Sequence, residues 1–449
     1  MTADDHTAQQ AGGSSKGVIW LTLFLDLVGF SIVFPVYAEL IEFYLQRDGG
    51  LLAASMQAIG SLVPSAGPAQ VAALLGTILF ALFTLAQFLG APLWGALSDR
   101  WGRRPVMLLT IAGNLLAYLL WAVAGSFWLL LISRLGAGFM SGNISVATAA
   151  MADITPRRRR SAGMALIGIA FGLGFICGPA IGGLGWELLP RPEPATFAVL
   201  QATPFTPVAL VAAGLSAINL LWAWRSFGET RTASGTAEQT RTLNPVRCFD
   251  PRLGPGVPRI NLAYLVFIAL FAGMEATLVF AAKEQLGWGP GALGALFVWF
   301  GLVSALVQGT IVRRLSGRVS DRRLAITGML LQAPGYLLLA CLPVWPLTAV
   351  VMAGTALLTV GMGLCMPALT ALVSRCSSED AQGRALGIFR SAGSIGRSVG
   401  PLLGGVLYFT AGAAWPYWMA LVLLPVPLLL LRGLDAVEPA IETVPTGAG

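Results

Sequence analysis

The stretch Gly95-Ala96-Leu97-Ser98-Asp99-Arg100-Trp101-Gly102-Arg103-Arg104-Pro105 separates two apolar runs, Val71–Leu93 and Pro105–Gly125. Each run is long enough for a helix to cross a hydrocarbon core, which takes about 20 residues. The polar stretch between them reads as a tight turn at a membrane surface. Its glycines let helix ends approach closely, and its arginines sit well against anionic headgroups. Asp99 is placed to accept from a helix N-terminus or to pair with an arginine. The unit is a membrane-crossing helical hairpin, and the pattern continues along the chain.

Of 449 residues, 56% are hydrophobic and 11% charged, whereas a soluble chain carries about 25% charged residues. Twelve membrane-length spans follow. The first half holds Gly17–Ala38, Val71–Leu93, Pro105–Gly125, Trp128–Ala152, Ala162–Gly185 and Pro207–Trp224. The second holds Ile260–Ala282, Pro290–Val312, Leu324–Leu342, Leu347–Val373, Ala385–Tyr408 and Trp415–Leu431. The expected fold is an all-α membrane protein of two pseudo-symmetric six-helix bundles.

Lys and Arg stay on the cytoplasmic side of membrane proteins. With both termini cytoplasmic, twelve spans leave only Arg47, Arg191 and Lys283 outside and only Arg134, Arg390 and Arg397 within spans, of 28 Lys and Arg. The basic runs Arg157 to Arg160 and Arg313 to Arg323 therefore express topology, and the net charge of +7 does not call for nucleic acid. The five cysteines form no disulfide framework, and the single histidine, His6, lies in a polar tail, so no metal site is expected. The first sixteen residues lack a basic n-region and a cleavage site, so helix one is expected to be retained. No nucleophile–base constellation is present, which speaks against an enzyme.

The chain repeats itself at an offset of 222 residues: Gly95, Asp99 and Arg100 fall on Gly317, Asp321 and Arg322. The same offset carries Gly174, Gly178, Pro179, Gly182 and Gly183 onto Gly396, Gly400, Pro401, Gly404 and Gly405. A parallel repeat of six helices is the signature of transporters whose halves rock about a site near the midplane. The domain boundaries read as a cytoplasmic tail 1–16, a bundle 17–224, a cytoplasmic linker 225–259, a bundle 260–432 and a cytoplasmic tail 433–449. The linker is rich in Thr, Pro, Gly and charge, without an apolar period.

Ionisable residues inside the apolar runs mark function, because a charge at that depth costs roughly 2.5–3.5 kcal/mol on insertion scales. Asp26 lies near the middle of helix one, Arg134 nearly two turns into helix four, and Glu275 in helix seven. Helix eleven carries Arg390 and Arg397, spaced seven apart and so on one face. Asp26 and Arg134 lie within roughly two turns in depth, so they meet if both face inward. Arg397 either pairs with Glu275 or receives an anionic substrate. Phe30, Phe34, Tyr37, Asn143, Trp299 and Gln332 are the further candidates for a substrate cavity. Small residues spaced by four in helix five permit close helix contact, and Pro179 bends the helix there.

Several of these strings resemble a known family. Gly95 to Pro105 resembles the signature loop of the major facilitator superfamily, and Gly317 to Arg323 is its degraded copy. The resemblance implies a cytoplasmic gate from Gly95, Asp99, Arg100, Gly102, Arg103 and Asp321, in which Asp and Arg latch the halves together. Gly174, Gly178, Pro179, Gly182 and Gly183, with Gly400 and Pro401 in the repeat, resemble the antiporter motif, implying export and a hinge. Asp26-Leu-Val-Gly29 with Phe34-Pro35-Val36 resembles helix one of proton-driven drug exporters. Arg134 with Gly138 resembles the arginine linked to proton transfer in the same group. Ala152-Asp153, Gly287-Trp288 and Gln382-Gly383 also fit the tetracycline/proton antiporters. Those exporters carry carboxylates in helices three and nine, where this chain has Ala117 and Gln332, and a helix-eight histidine that this chain lacks. The pair Arg390 and Arg397 looks more like the animal tetracycline-transporter-like proteins, which handle organic anions.

The expected function is a proton-coupled antiporter exporting amphipathic small molecules, with Asp26, Arg134 and Glu275 in proton coupling. An organic-anion exporter, a nutrient symporter and a non-transporting receptor are the alternatives. The expected partners are a lipid bilayer, a small amphipathic substrate and protons, with the proton gradient as energy source and no cofactor. A monomer in a bacterial inner membrane fits this reading.

Overall fold

The computed structural model describes residues 3–47, 50, 52, 54, 57–58, 61, 67–155, 160–193, 198–230, 254, 256–315, 318–377 and 382–432. The linker between 231 and 253, the run Arg157 to Arg159, Gly317 and the tail 433–449 lie outside the described residues.

Backbone polar groups in hydrocarbon must be satisfied within the chain, so apolar runs of this length fold as helices. The first half supplies α1 (Ala3–Ser31), α2 (Pro68–Trp101), α3 (Arg103–Ala122), α4 (Phe127–Asp153), α5 (Arg160–Leu188) and α6 (Thr206–Ser226). The second supplies α7 (Val257–Leu286), α8 (Pro290–Val312), α9 (Asp321–Ala340), α10 (Thr348–Cys376), α11 (Gln382–Ala411) and α12 (Trp415–Arg432). Among the described residues, ten of these are long and apolar enough to cross a membrane by length and composition. The other two are α1 and α11, helices of 29 and 30 residues. Polar residues on α11, namely Arg390, Ser391, Ser394, Arg397 and Ser398, dilute its hydrophobicity. Large exposed apolar residues such as Leu116, Ile132, Leu306, Val422 and Leu429 cover the outer surface, as a lipid-facing belt requires.

Two expected helices are interrupted. The span expected at Gly17–Ala38 stops at Ser31, turns through Ile32–Val36 and resumes as a short helix, Tyr37–Arg47. Pro35 explains the break, because it has no N–H and disfavours the helical conformation at Phe34. Within α4, residues Ser141–Asn143 tighten into a 3-10 turn where the chain crosses α2. A Cβ on Gly142 would meet the main chain of Ala91, and the Trp94 indole donates to the Phe139 carbonyl at 2.7 Å. That crossing directs Asn143 toward α1. α8 ends in a π-helical segment, Val307–Val312.

The glycines of the 222-residue repeat set the assembly. Gly174, Gly178 and Gly182 of α5 press on Leu27, Ser31 and Ile32 of α1 and its turn. Their counterparts Gly396, Gly400 and Gly404 press on Leu265, Ala269 and Gly273 of α7. One residue further on, Gly183 meets Pro290 and Gly294 of α8, and Gly405 meets Thr77 of α2, across the boundary between halves. Lipid is as apolar as leucine, so close van der Waals approach replaces the hydrophobic effect as the association force.

Valine at Gly178 or Gly400 therefore overpacks a backbone contact and lowers stability by about 1–3 kcal/mol. Thermal unfolding of the purified protein checks this. Gly387→Ala, with nothing within 4 Å of the added carbon, leaves Tm unchanged.

Candidate functional site

The face at the α2–α3 turn is termed the basic face, and the opposite one the far face. At the basic face Gly102 adopts φ 102°, which lets α2 turn directly into α3. The Arg103 guanidinium donates to Asp99 at 2.6 Å, Ser98 at 2.7 Å and Asp153 at 2.9 Å. Glu229 accepts from the N–H groups of Arg103 and Arg104 at 2.9 and 3.2 Å, at the start of α3, where a carboxylate complements the helix dipole. Arg104 donates to the Trp224 carbonyl at 2.7 Å. These bonds tie α2, α3, α4 and α6 together. The expected latch between halves is corrected for Arg103, whose described bonds go to the first bundle and to Glu229 just beyond α6, none of them to the second bundle.

The second half repeats the logic with a reversed charge. Asp321, the copy of Asp99, pairs at 3.1 Å with Arg375, which falls on Asp153 at the same offset. Arg322 donates to the carbonyls of Leu431 and Arg432 at the end of α12.

Asp26 is half-buried in the first bundle and accepts from the Asn143 amide. Asn114 of α3 and Asn219 of α6 stand beside it; Asn219 also donates to the Thr22 carbonyl at 3.0 Å. A carboxylate ringed by amides is held by dipoles instead of a counter-ion. The expected meeting of Asp26 with Arg134 does not occur, and no ion pair joins them. Tyr118 feels both charges, and its hydroxyl packs against Gly29 of α1. Arg134 is 4% exposed, lies over the Trp121 ring at 4.5 Å and donates to Ser133 at 3.3 Å.

Between the halves, Arg397 of α11 lies 3.7 Å from Glu275 of α7, as one of the two sequence alternatives had it. The same guanidinium stands 5.8 Å from the centre of the Phe175 ring on α5, and Thr84 of α2 reaches the Arg397 carbonyl at 3.4 Å. Phe34 touches Phe30, Phe80, Phe175 and Phe297, so Phe30 and Phe34 belong to an aromatic cluster that crosses the boundary. Arg390, one face-turn away on α11, is exposed and lies near Tyr264.

The remaining cavity candidates fare differently. Gln332 is fully buried, donating to the Leu358 carbonyl and accepting from Tyr336, so it joins α9 to α10. Trp299 donates its indole N–H to Met352 of α10 at 3.0 Å, which makes it a packing residue of the second half. Asn143 donates its side-chain amide to Asp26. Tyr37 donates to the Gly76 carbonyl at 2.8 Å and meets Phe280 edge-on.

A family model described as Major Facilitator Superfamily matches residues 19–281 and 260–446. The chain belongs to the major facilitator superfamily. Major facilitator superfamily domain-containing protein 10 of Homo sapiens is 32% identical over 443 residues, covering 92% of this chain and 91% of that protein. The class E tetracycline resistance protein of Escherichia coli is 29% identical over 420 residues, covering 91% and 92%. The crystal structure of the human organic anion transporter MFSD10 (TETRAN) matches with a TM-score of 0.73 at 30% identity, covering 94% of this chain and 99% of that one. This superfamily member is thus an integral membrane transporter of small molecules and not an enzyme.

One contact between the halves of this major facilitator protein escaped the sequence. Lys283 at the end of α7 reaches Glu39 and Glu42 of the short helix, each at 2.7 Å. It stitches the two halves shut at the far face. Lys283 stood out in the sequence as a basic residue on the wrong side, and that exception was the available signal.

Such partly exposed pairs contribute about 0.2–1 kcal/mol each, so losing both in Lys283→Ala shifts opening of the far face roughly 2- to 30-fold. A single cysteine at Leu79, in an otherwise cysteine-free protein, reads this as faster thiol labelling from that face. Unchanged labelling would remove Lys283 from the gate.

Proposed function

We propose that the chain is a proton-coupled antiporter that exports amphipathic small molecules by alternating access, with its basic face and both termini in the cytoplasm. The observation that carries this reading is the Glu275–Arg397 pair. A proton can drive a conformational change only if its affinity differs between the two states. Glu275 has its ion partner on α11, whose backbone reaches Thr84 and whose guanidinium stands by Phe175 in the opposite half. Any rocking of the halves changes what surrounds the pair, and the proton affinity of Glu275 changes with it.

Asp26 is the second proton site in this reading. It belongs to the first bundle alone, where Asn143 donates to it and no cation is paired with it. The far-face stitch by Lys283 gives a state closed to the outside, from which substrate enters through the basic face. Gly183 against Gly294, and Gly405 against Thr77, are the pivots about which the halves rock.

A second reading, export of organic anions, is favoured by Arg390 and Arg397 on one face of α11 and by the likeness to the human organic anion transporter. In it Arg397 exchanges Glu275 for the anionic group of the substrate.

Proteoliposomes with an imposed proton gradient and a panel of amphipathic dyes test the proposal. Glu275→Gln and Asp26→Asn each lose gradient-driven accumulation at least tenfold while dye binding stays within about threefold. Undiminished accumulation in both variants removes the carboxylates from the mechanism. Competition by neutral dyes as strong as by anionic dyes of equal size counts against the organic-anion reading.

A further inference from the structure

Arg134 holds an unbalanced charge. The side chain is 4% exposed, and no carboxylate lies within 4 Å of it among the described residues. Its one side-chain hydrogen bond is to Ser133 at 3.3 Å, and its Nε has no acceptor. The indole N–H of Trp121, the ring beneath the guanidinium, also lacks one. Both unsatisfied groups are donors, so what they require is an acceptor. The carboxylates of α1 and the short helix have other partners: Asn143 donates to Asp26, and Lys283 pairs with Glu39 and Glu42. Tyr37, Tyr44 and Tyr118 face Arg134 and bring no negative charge in their ordinary neutral state.

Arg134 also lines a cavity of about 20 Å³ with Val33, Phe34, Tyr37, Leu79 and Phe80. That exceeds the roughly 10–15 Å³ that a single water needs. It is far below the roughly 300–1,000 Å³ of an organic-ligand pocket. An amphipathic substrate does not fit there, whereas a monatomic ion does after small side-chain shifts. Water would satisfy a donor but leave the guanidinium charge in an apolar surround.

We propose that this cavity is a halide site, in which Arg134 binds a chloride-sized inorganic anion. Cation–π contact with Trp121 and Tyr118 holds the guanidinium plane, and the ion supplies the negative charge the rings cannot. Tyr37 lies on the far-face short helix that Lys283 clamps. The ion is therefore sealed in while the clamp is closed and exchanges from the far face when it opens.

The test uses the purified full-length protein in gluconate buffer at constant ionic strength, titrated with sodium chloride or sodium bromide. Tm is expected to rise saturably by a few degrees with either halide, and the rise is expected to vanish in Arg134→Gln. A Tm blind to halide in the wild type overturns the proposal, as does a full halide response in Arg134→Gln. Should that variant fail to fold, wild-type crystals grown in bromide decide the matter. An anomalous peak within hydrogen-bond distance of Arg134 supports the site, and density there without anomalous signal overturns it.

Discussion

Arg397 meets Glu275 at 3.7 Å where α11 packs on α7, and the same residue is touched from the other half through Thr84 and Phe175. A charge pair in a low-dielectric interior depends on its partner, because removing one member strands the other. The glycine contacts that bring α11 within reach of α7 and α2 are therefore also what fixes this pair. Gly400 and Gly404 set the α7 side, and Gly405 sets the α2 side. The electrostatics of the centre and the packing of the boundary are one arrangement.

The two halves use the repeat differently. In the first, α5 closes on α1 and leaves Asp26 inside its own bundle among amides. In the second, α11 closes on α7 and leaves Glu275 facing an arginine at the boundary. At the basic face Asp99 and Asp153 share Arg103, whereas Asp321 pairs directly with Arg375. A shared backbone plan thus carries two charge layouts.

The fold was legible because hydrophobic length and the 222-residue offset are properties of sequence alone. The spacing of Gly174, Gly178 and Gly182 even names the helix face that packs. Legibility failed where helix rotation and breaks decide. Pro35 and the 3-10 turn at Ser141–Asn143 redirect Phe34 and Asn143 in ways no period announces. Gln332 and Trp299 face neighbouring helices of their own half, since nothing in an apolar run says which side meets the cavity. Arg134 was recognisable as an outlier, but its surround of Tyr118 and Trp121 comes from α3, several residues of which are equally apolar. Glu229 lay in what read as a linker, yet it anchors α3.

In the proposed mechanism the charge of the Glu275–Arg397 pair sets the balance between the two open faces. Spin labels at positions 168 on α5 and 309 on α8, where added side chains meet nothing within 4 Å, report the separation of the basic-face ends. Wild-type distances measured by pulsed electron resonance shift between two populations as pH is varied, and Glu275→Gln holds one population at every pH. A full pH-dependent shift retained in Glu275→Gln contradicts the account.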